Sequence, residues 1–253
     1  MLKTIKSLLL ILLCQASIAY GKTQLTVTPP KDEQQRTALE FAKPIANTLI
    51  TLVNEEYPLY QTLTLTLGGD DGPLFDPEQM QILIPYAFIN EVQRRFRSPD
   101  AVLEKGVSVQ DASRYGLIHV MLHEFGHALV FDHDIPILGK EEDAVDTFAT
   151  LIMIWHQKTD HAFAAAELFA LHDLEVDEFN ESDFWGEHSL DAQRYASALC
   201  LIYGSDPEKY SNLINEELAG EERESYCQEE FENQSRNWER IIDMARVFKN
   251  QMK

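Results

Sequence analysis

From residue 36 onward the apolar positions fall at helical spacing. Leu39, Phe41, Ile45, Leu49 and Val53 predict a helix over 36–53, bent or split at Pro44 because proline lacks the N–H that an internal turn needs. The period then changes. Leu63-Thr64-Leu65-Thr66-Leu67 alternates strictly and stops at Gly68-Gly69-Asp70-Asp71-Gly72-Pro73, a strand followed by a turn. A second extended run, Ile82-Leu83-Ile84, ends at Pro85 and Tyr86, and because proline cannot donate to a ladder this run is expected at a sheet edge. Residues 22–35, polar and carrying Pro29 and Pro30, read as a loose lead-in. Everything downstream reads helical. Ser108 with Asp111 three residues later marks a helix N-terminus, and the pattern continues through Val120, Leu122, Phe125 and Leu129. A loop with Pro136 and Gly139 precedes a helix over about 140–156, and further helices are expected over 161–171, 189–203, 206–218 and 221–248. The sum is an α+β fold, a small N-terminal sheet with an edge strand over a mainly helical remainder.

The N-terminus belongs to none of these elements. Lys3 and Lys6 precede an apolar run over 8–13 followed by small residues, the pattern of a secretory signal peptide over 1–19, cleaved after Ala19 or alternatively after Gly21. The run is too short to cross a bilayer, and Leu13 stands where lipidation of Cys14 would need a small residue. The expected location is therefore secreted or periplasmic, with no membrane partner once the segment is removed. Cys14 would leave with it, so Cys200 and Cys227 remain as the natural pair for one disulfide in an oxidising compartment. The 253 residues carry 21 Lys and Arg against 42 Asp and Glu, a net charge of −21. A chain this acidic has no basic face to neutralise phosphates, which excludes ordinary nucleic-acid binding.

One segment carries chemistry. Residues 123–127 read His-Glu-Phe-Gly-His, and on a helix His123 and His127 lie one turn apart on one face, where both imidazoles can reach a single metal ion. Zinc suits such a pair because it takes nitrogen and oxygen ligands in a tetrahedron and leaves one position for water. Glu124 stands beside the pair, placed to take a proton from that water. A chance match would leave unpaired His and Glu side chains inside an apolar helix at a substantial desolvation cost. His119, one turn earlier, is expected to pack rather than to ligate.

Two residues compete for the third ligand position. His133 has the outer spacing of the metzincin motif, but Val130 occupies the position where that motif needs a glycine to break the helix. Glu142, in Gly139-Lys140-Glu141-Glu142-Asp143-Ala144-Val145-Asp146, is the stronger candidate, with Asp146 one turn on to accept the second ring N–H of a ligating histidine. The helix dipole alone accounts for acids such as Glu141 and Asp143 in a first turn, but not for Asp146 among apolar neighbours. Gly126 costs roughly 1 kcal/mol relative to alanine in a helix interior, which predicts a close neighbour there, either the sheet or the following helix.

The paired pattern His-Glu-x-Gly-His-Ala and Gly-x-Glu-Glu-Asp-Ala-x-Asp resembles a family of secreted bacterial proteins described as metallopeptidases and catalogued as a domain of unknown function. It is similar also to the wider gluzincin group. Asp71-Gly72-Pro73, the run Ile82 to Tyr86, Glu187-His188-Ser189-Leu190 with Gln193-Arg194, and Cys200 through Tyr203-Gly204 extend the resemblance over most of the chain. It implies a single zincin-like domain over 36–253, with a helix and small sheet over 36–105 and a helical part holding the metal over 106–253. It implies a zinc peptidase with His123, His127 and Glu142 as ligands and Asp146 behind them. The run Ile82-Leu83-Ile84 resembles the sheet edge that gluzincins place above the metal.

Peptide hydrolysis at such a site develops an oxyanion that needs a further donor. His188, Arg194 and Tyr86 are the candidates, His188 first. The leading expectation is an exported zinc metallopeptidase acting on peptide or protein substrates with Glu124 as general base. The alternatives are a non-catalytic zinc-containing binding protein on the same fold and a zinc hydrolase of non-peptide amides.

Overall fold

The computed structural model describes residues 21–103, 106–156, 159–174, 181–213 and 220–251. The expected signal segment 1–19 lies outside the described residues. Strand β1 (Gln24–Val27) leads through α1 (Glu33–Glu56) to β2 (Thr64–Leu67), β3 (Leu74–Asp76) and β4 (Gln81–Ile84). Six helices follow among the described residues: α2 (Tyr86–Arg95), α3 (Val109–Asp132), α4 (Glu141–Trp155), α5 (Thr159–Asp173), α6 (Asp191–Ser205) and α7 (Gly220–Gln251). A short 3-10 turn over Glu181–Trp185 lies between α5 and α6. This is the α+β class expected from the hydrophobic pattern.

The sheet runs in the order β1-β2-β4-β3, with the first three strands parallel and β3 antiparallel to β4. Two expectations change here. Residues 24–27 are a paired strand rather than part of a loose lead-in, and α1 begins at Glu33, capped by Asp32 accepting from the Gln35 N–H. β1 hides in the sequence because it is four residues long and runs directly into Pro29 and Pro30. The run at residues 82–84 is not the edge. β3 folds back against its outer side, Leu74 opposite Leu83 and Asp76 opposite Gln81, so that Ile82 and Ile84 are fully buried and β3 is the edge. Pro85 stands after the ladder has ended, as the N-cap of α2, where its missing N–H is not required.

Pro44 does not split α1, which runs unbroken past it. Residues 207–213 form turns instead of the helix expected over 206–218, the rest of which lies outside the described residues. α2 occupies a stretch where the pattern above predicts no element. Tyr86, Ile89 and Val92 face inward along it.

α3 is the axis of the fold. It contacts α1, α2, α4, α5 and the β3–β4 edge, which is why apolar residues occur around its whole circumference rather than on one stripe. Ser108 caps it, accepting from the Asp111 N–H at 3.1 Å. Leu122, Phe125 and Leu129 of α3 pack with Leu65 and Ile84 of the sheet and Phe148 and Ile152 of α4 in one core. Gly126 sets the closest approach. A Cβ there would lie 2.9 Å from Val145 Cβ and 3.2 Å from Phe148 Cδ1, so the neighbour that the glycine predicts is the following helix, α4.

α7 is tied to α6 by the Cys200–Cys227 disulfide, across 27 residues of sequence. Gly204 permits the contact, since a Cβ there would lie 2.2 Å from the Cys227 carbonyl oxygen. No helix among the described residues is long and apolar enough to cross a membrane.

Candidate metal centre

The close packing of α3 on α4 brings the first turn of α4 against the His123–His127 face of α3. His123 Nε2 and His127 Nε2 lie 3.2 Å apart, and Glu142 Oε2 lies 3.1 Å from the first and 3.4 Å from the second. These three ligand atoms fall within 4.8 Å of one another. Each ring is anchored by its other nitrogen. His123 Nδ1 is 2.7 Å from Asp146 Oδ1, and His127 Nδ1 is 2.7 Å from Glu141 Oε1. With each Nδ1–H donating to a carboxylate, the Nε2 lone pairs turn toward one another and toward Glu142.

The donor set fits a divalent cation. Glu142 Oε2 is a buried oxygen on which three imidazole nitrogens converge, Nε2 of His123 at 3.1 Å, of His127 at 3.4 Å and of His188 at 2.8 Å. An arrangement of converging lone pairs and one carboxylate oxygen is repulsive unless positive charge sits among them. Protons compete with a metal ion for those lone pairs. Burial disfavours a charged His123, but hydrogen bonds to Asp146 and Glu142 outweigh it and push the ring up to about 9. His127 is raised for the same reasons, its partners being Glu142 and Glu141. Burial also works against ionised Glu142 and Asp146, and their histidine partners, with Arg194 beside Asp146, nevertheless hold both below the usual carboxylate range.

Glu124 lies next to the cluster, 6% exposed, and lines the same cleft. Burial raises its pKa, opposed by the charges of His123 and His127. The cleft measures about 810 Å³, and its walls include Leu74 and Phe75 of β3, Phe131 at the end of α3, and Trp185 and His188 on the segment before α6. His188 Nε2 is 2.8 Å from Glu142 Oε2, and its ring stacks on His123 with centroids 6.0 Å apart. That segment is pinned by Lys140 Nζ, which donates to the carbonyls of Gly186 and His188 at 3.1 Å each.

The other sequence candidates lie elsewhere. The Tyr86 hydroxyl donates to the Thr28 carbonyl at 2.6 Å, and Arg194 is paired behind Asp146, so neither lines the cleft. His133 donates to the Pro58 carbonyl at 2.8 Å and packs on Tyr60, away from the cluster. His119 Nε2 meets Thr150 Oγ1 at 3.1 Å, as expected of a packing residue. Sequence reasoning missed Glu141 as the anchor of His127, since its place in a first turn already had an explanation in the helix dipole. It missed β3 for want of length, and it drew no notice to Phe131, an exposed large apolar residue that shares the cleft wall with Trp185.

No curated protein and no solved structure matches the chain. A family model described as "putative metallopeptidase" matches residues 26–242, which takes in β2, β3 and β4, every residue of the His-His-Glu cluster and the disulfide. The chain therefore belongs to that metallopeptidase family, a membership that implies a bound metal and peptide or protein substrates.

Proposed function

We propose that the protein is an exported zinc peptidase in which His123, His127 and Glu142 hold the metal and Glu124 is the general base. The observation that carries this reading is Glu142 Oε2, buried and within 3.4 Å of the Nε2 atoms of both His123 and His127, whose rings are each held from behind by a carboxylate. A zinc ion held there would supply Lewis acidity, polarising the scissile carbonyl and acidifying a water. Glu124 takes the proton from that water and passes it to the leaving amine; its burial raises its basicity toward the range such a shuttle needs. Asp146 and Glu141 keep each ring in the tautomer that presents Nε2. His188 lines the cleft, and we assign it as the donor to the developing oxyanion once Glu142 turns from it to the metal. The outer edge of β3 borders the cleft, where an extended peptide can add as a further strand, with Phe75, Phe131 and Trp185 beside its side chains.

The test is Glu124→Gln. The variant is expected to bind zinc as the wild type does and to lose roughly 10²–10⁴-fold in peptide hydrolysis. Wild type that binds zinc yet cleaves nothing in a diverse peptide library would favour the non-catalytic binder. Turnover confined to small amides would favour the non-peptide hydrolase.

A further inference from the structure

Asp146 is gripped from two sides. On one, its Oδ1 meets His123 Nδ1; on the other, Arg194 from the first turn of α6 reaches both oxygens, Nε to Oδ2 at 2.6 Å and Nη2 to Oδ1 at 2.9 Å. This is a bidentate guanidinium–carboxylate pair, the geometry that fixes a carboxylate plane and not only its position. Arg194 is fixed in turn. Its Nη1 lies 3.3 Å from Asp191 Oδ1, its guanidinium lies 4.2 Å over the Phe169 ring, and Asp191 Oδ2 is 2.5 Å from His172 Nδ1.

Both partners are shielded. The side chains of Asp146 and Arg194 are only 12% and 15% exposed, and Arg194 borders a separate pocket between α4, α6 and α7 whose lining includes neither Glu124 nor His188. The guanidinium is not part of the cleft wall, and its nitrogens are taken up by Asp146 and Asp191. What it can do is compensate the charge of a carboxylate that would otherwise be buried against a single imidazole, a costly arrangement for one ion alone. Because Oδ1 is shared between Arg194 Nη2 and His123 Nδ1, the carboxylate cannot rotate to suit one partner without losing the other.

We propose that Arg194, steadied by Asp191, is a positioning residue for the metal: through Asp146 it sets the orientation and tautomer of His123, so that α6 completes a site whose ligands all lie on α3 and α4. The proposal rests on the reading of His123 as a ligand. Its test is zinc affinity, measured by competition with a chelator for wild type, Arg194→Gln, Arg194→Lys, Asp146→Asn and the Arg194→Gln/Asp146→Asn pair. Arg194→Gln is expected to weaken zinc about tenfold or more, the lower end of what loss of such partners costs. Arg194→Lys should recover part of the loss. The double variant should bind no more weakly than Asp146→Asn alone, because both substitutions act through one carboxylate. A side chain that merely packs α6 against α4 would give losses that multiply in the double variant, and that result overturns the proposal, as does wild-type affinity in Arg194→Gln. Should Arg194→Gln fail to fold, Asp191→Asn carries the test, with a smaller weakening expected and unchanged affinity overturning it. His123→Ala separates the two readings: if it binds zinc as well as wild type, the reading of His123 as a ligand fails and the proposal with it.

Discussion

His119 sits one turn before His123 on the same helix, yet its environment is set for a different purpose. Burial pushes its pKa down to about 4, against a smaller opposing pull from Asp146, so the folded protein holds it neutral beside Thr150 and Phe169. In the unfolded chain the same ring titrates near 6.5. Between those values the unfolded state binds a proton that the native state refuses, so stability is unaffected above 6.5 and falls as the pH drops through the window. The expected size is up to ~3 kcal/mol at the acid end. His119→Gln should flatten this part of the profile. Urea midpoints of both proteins, followed from neutral pH down to about 4, check it; parallel profiles would rule out the assigned role.

At the scale of elements, the approach of α3 to α4 decides whether the proposed ligands meet. Gly126→Ala offers roughly 1 kcal/mol of helix propensity, but the added methyl would lie 2.9–3.0 Å from Val145 Cβ and Cγ1, atoms of a stiff, fully buried β-branched side chain. Overpacking of this kind costs typically about 1–3 kcal/mol, so the steric term is expected to win. Gly126→Ala should therefore lower the melting temperature and also weaken zinc, because Val145 lies three residues from Glu142 on α4 and cannot yield without shifting that helix. A variant more stable than wild type would show that α4 moves freely on α3. The same contact explains why Glu142 and Asp146 both address the histidine face: they stand one turn apart on a helix whose separation from α3 is only a glycine wide.

Across the whole molecule, the proposed metal ligands sit on α3 and α4 while Arg194 and Cys200 sit on α6, which the disulfide ties to α7. Removing the bridge with Cys200→Ser and Cys227→Ser frees a loop of 27 residues in the unfolded chain and should cost about 3.5 kcal/mol on the chain-entropy account. Equilibrium unfolding measures it. Zinc affinity of the folded variant should change little, since Arg194 stands in the first turn of α6, held by Asp146 and Asp191, more than a turn before Cys200. The surplus of acids also acts at this scale. A net charge of −21 opposes phosphate-bearing partners, while a handful of those acids, Glu124, Glu141, Glu142 and Asp146, is concentrated where two histidines and an arginine offset them.

Sequence by itself determined what depends on neighbours within a turn or two. It set the long apolar helices, the cap at Ser108, the His123–His127 face and the need for something close to Gly126, because a helix fixes the relative positions of residues three and four apart. It also contained the cysteine pair and the family resemblance. Only the tertiary structure decided matters that join distant segments. These include the placement of β3 and not β4 at the edge, the pairing of β1, the use of Glu141 as the His127 anchor, and the turn of Arg194 away from the cleft onto Asp146, 48 residues earlier in the chain. Each depends on how whole elements pack, and packing is set by volumes and close approaches summed over many side chains, which periodicity along one segment does not encode.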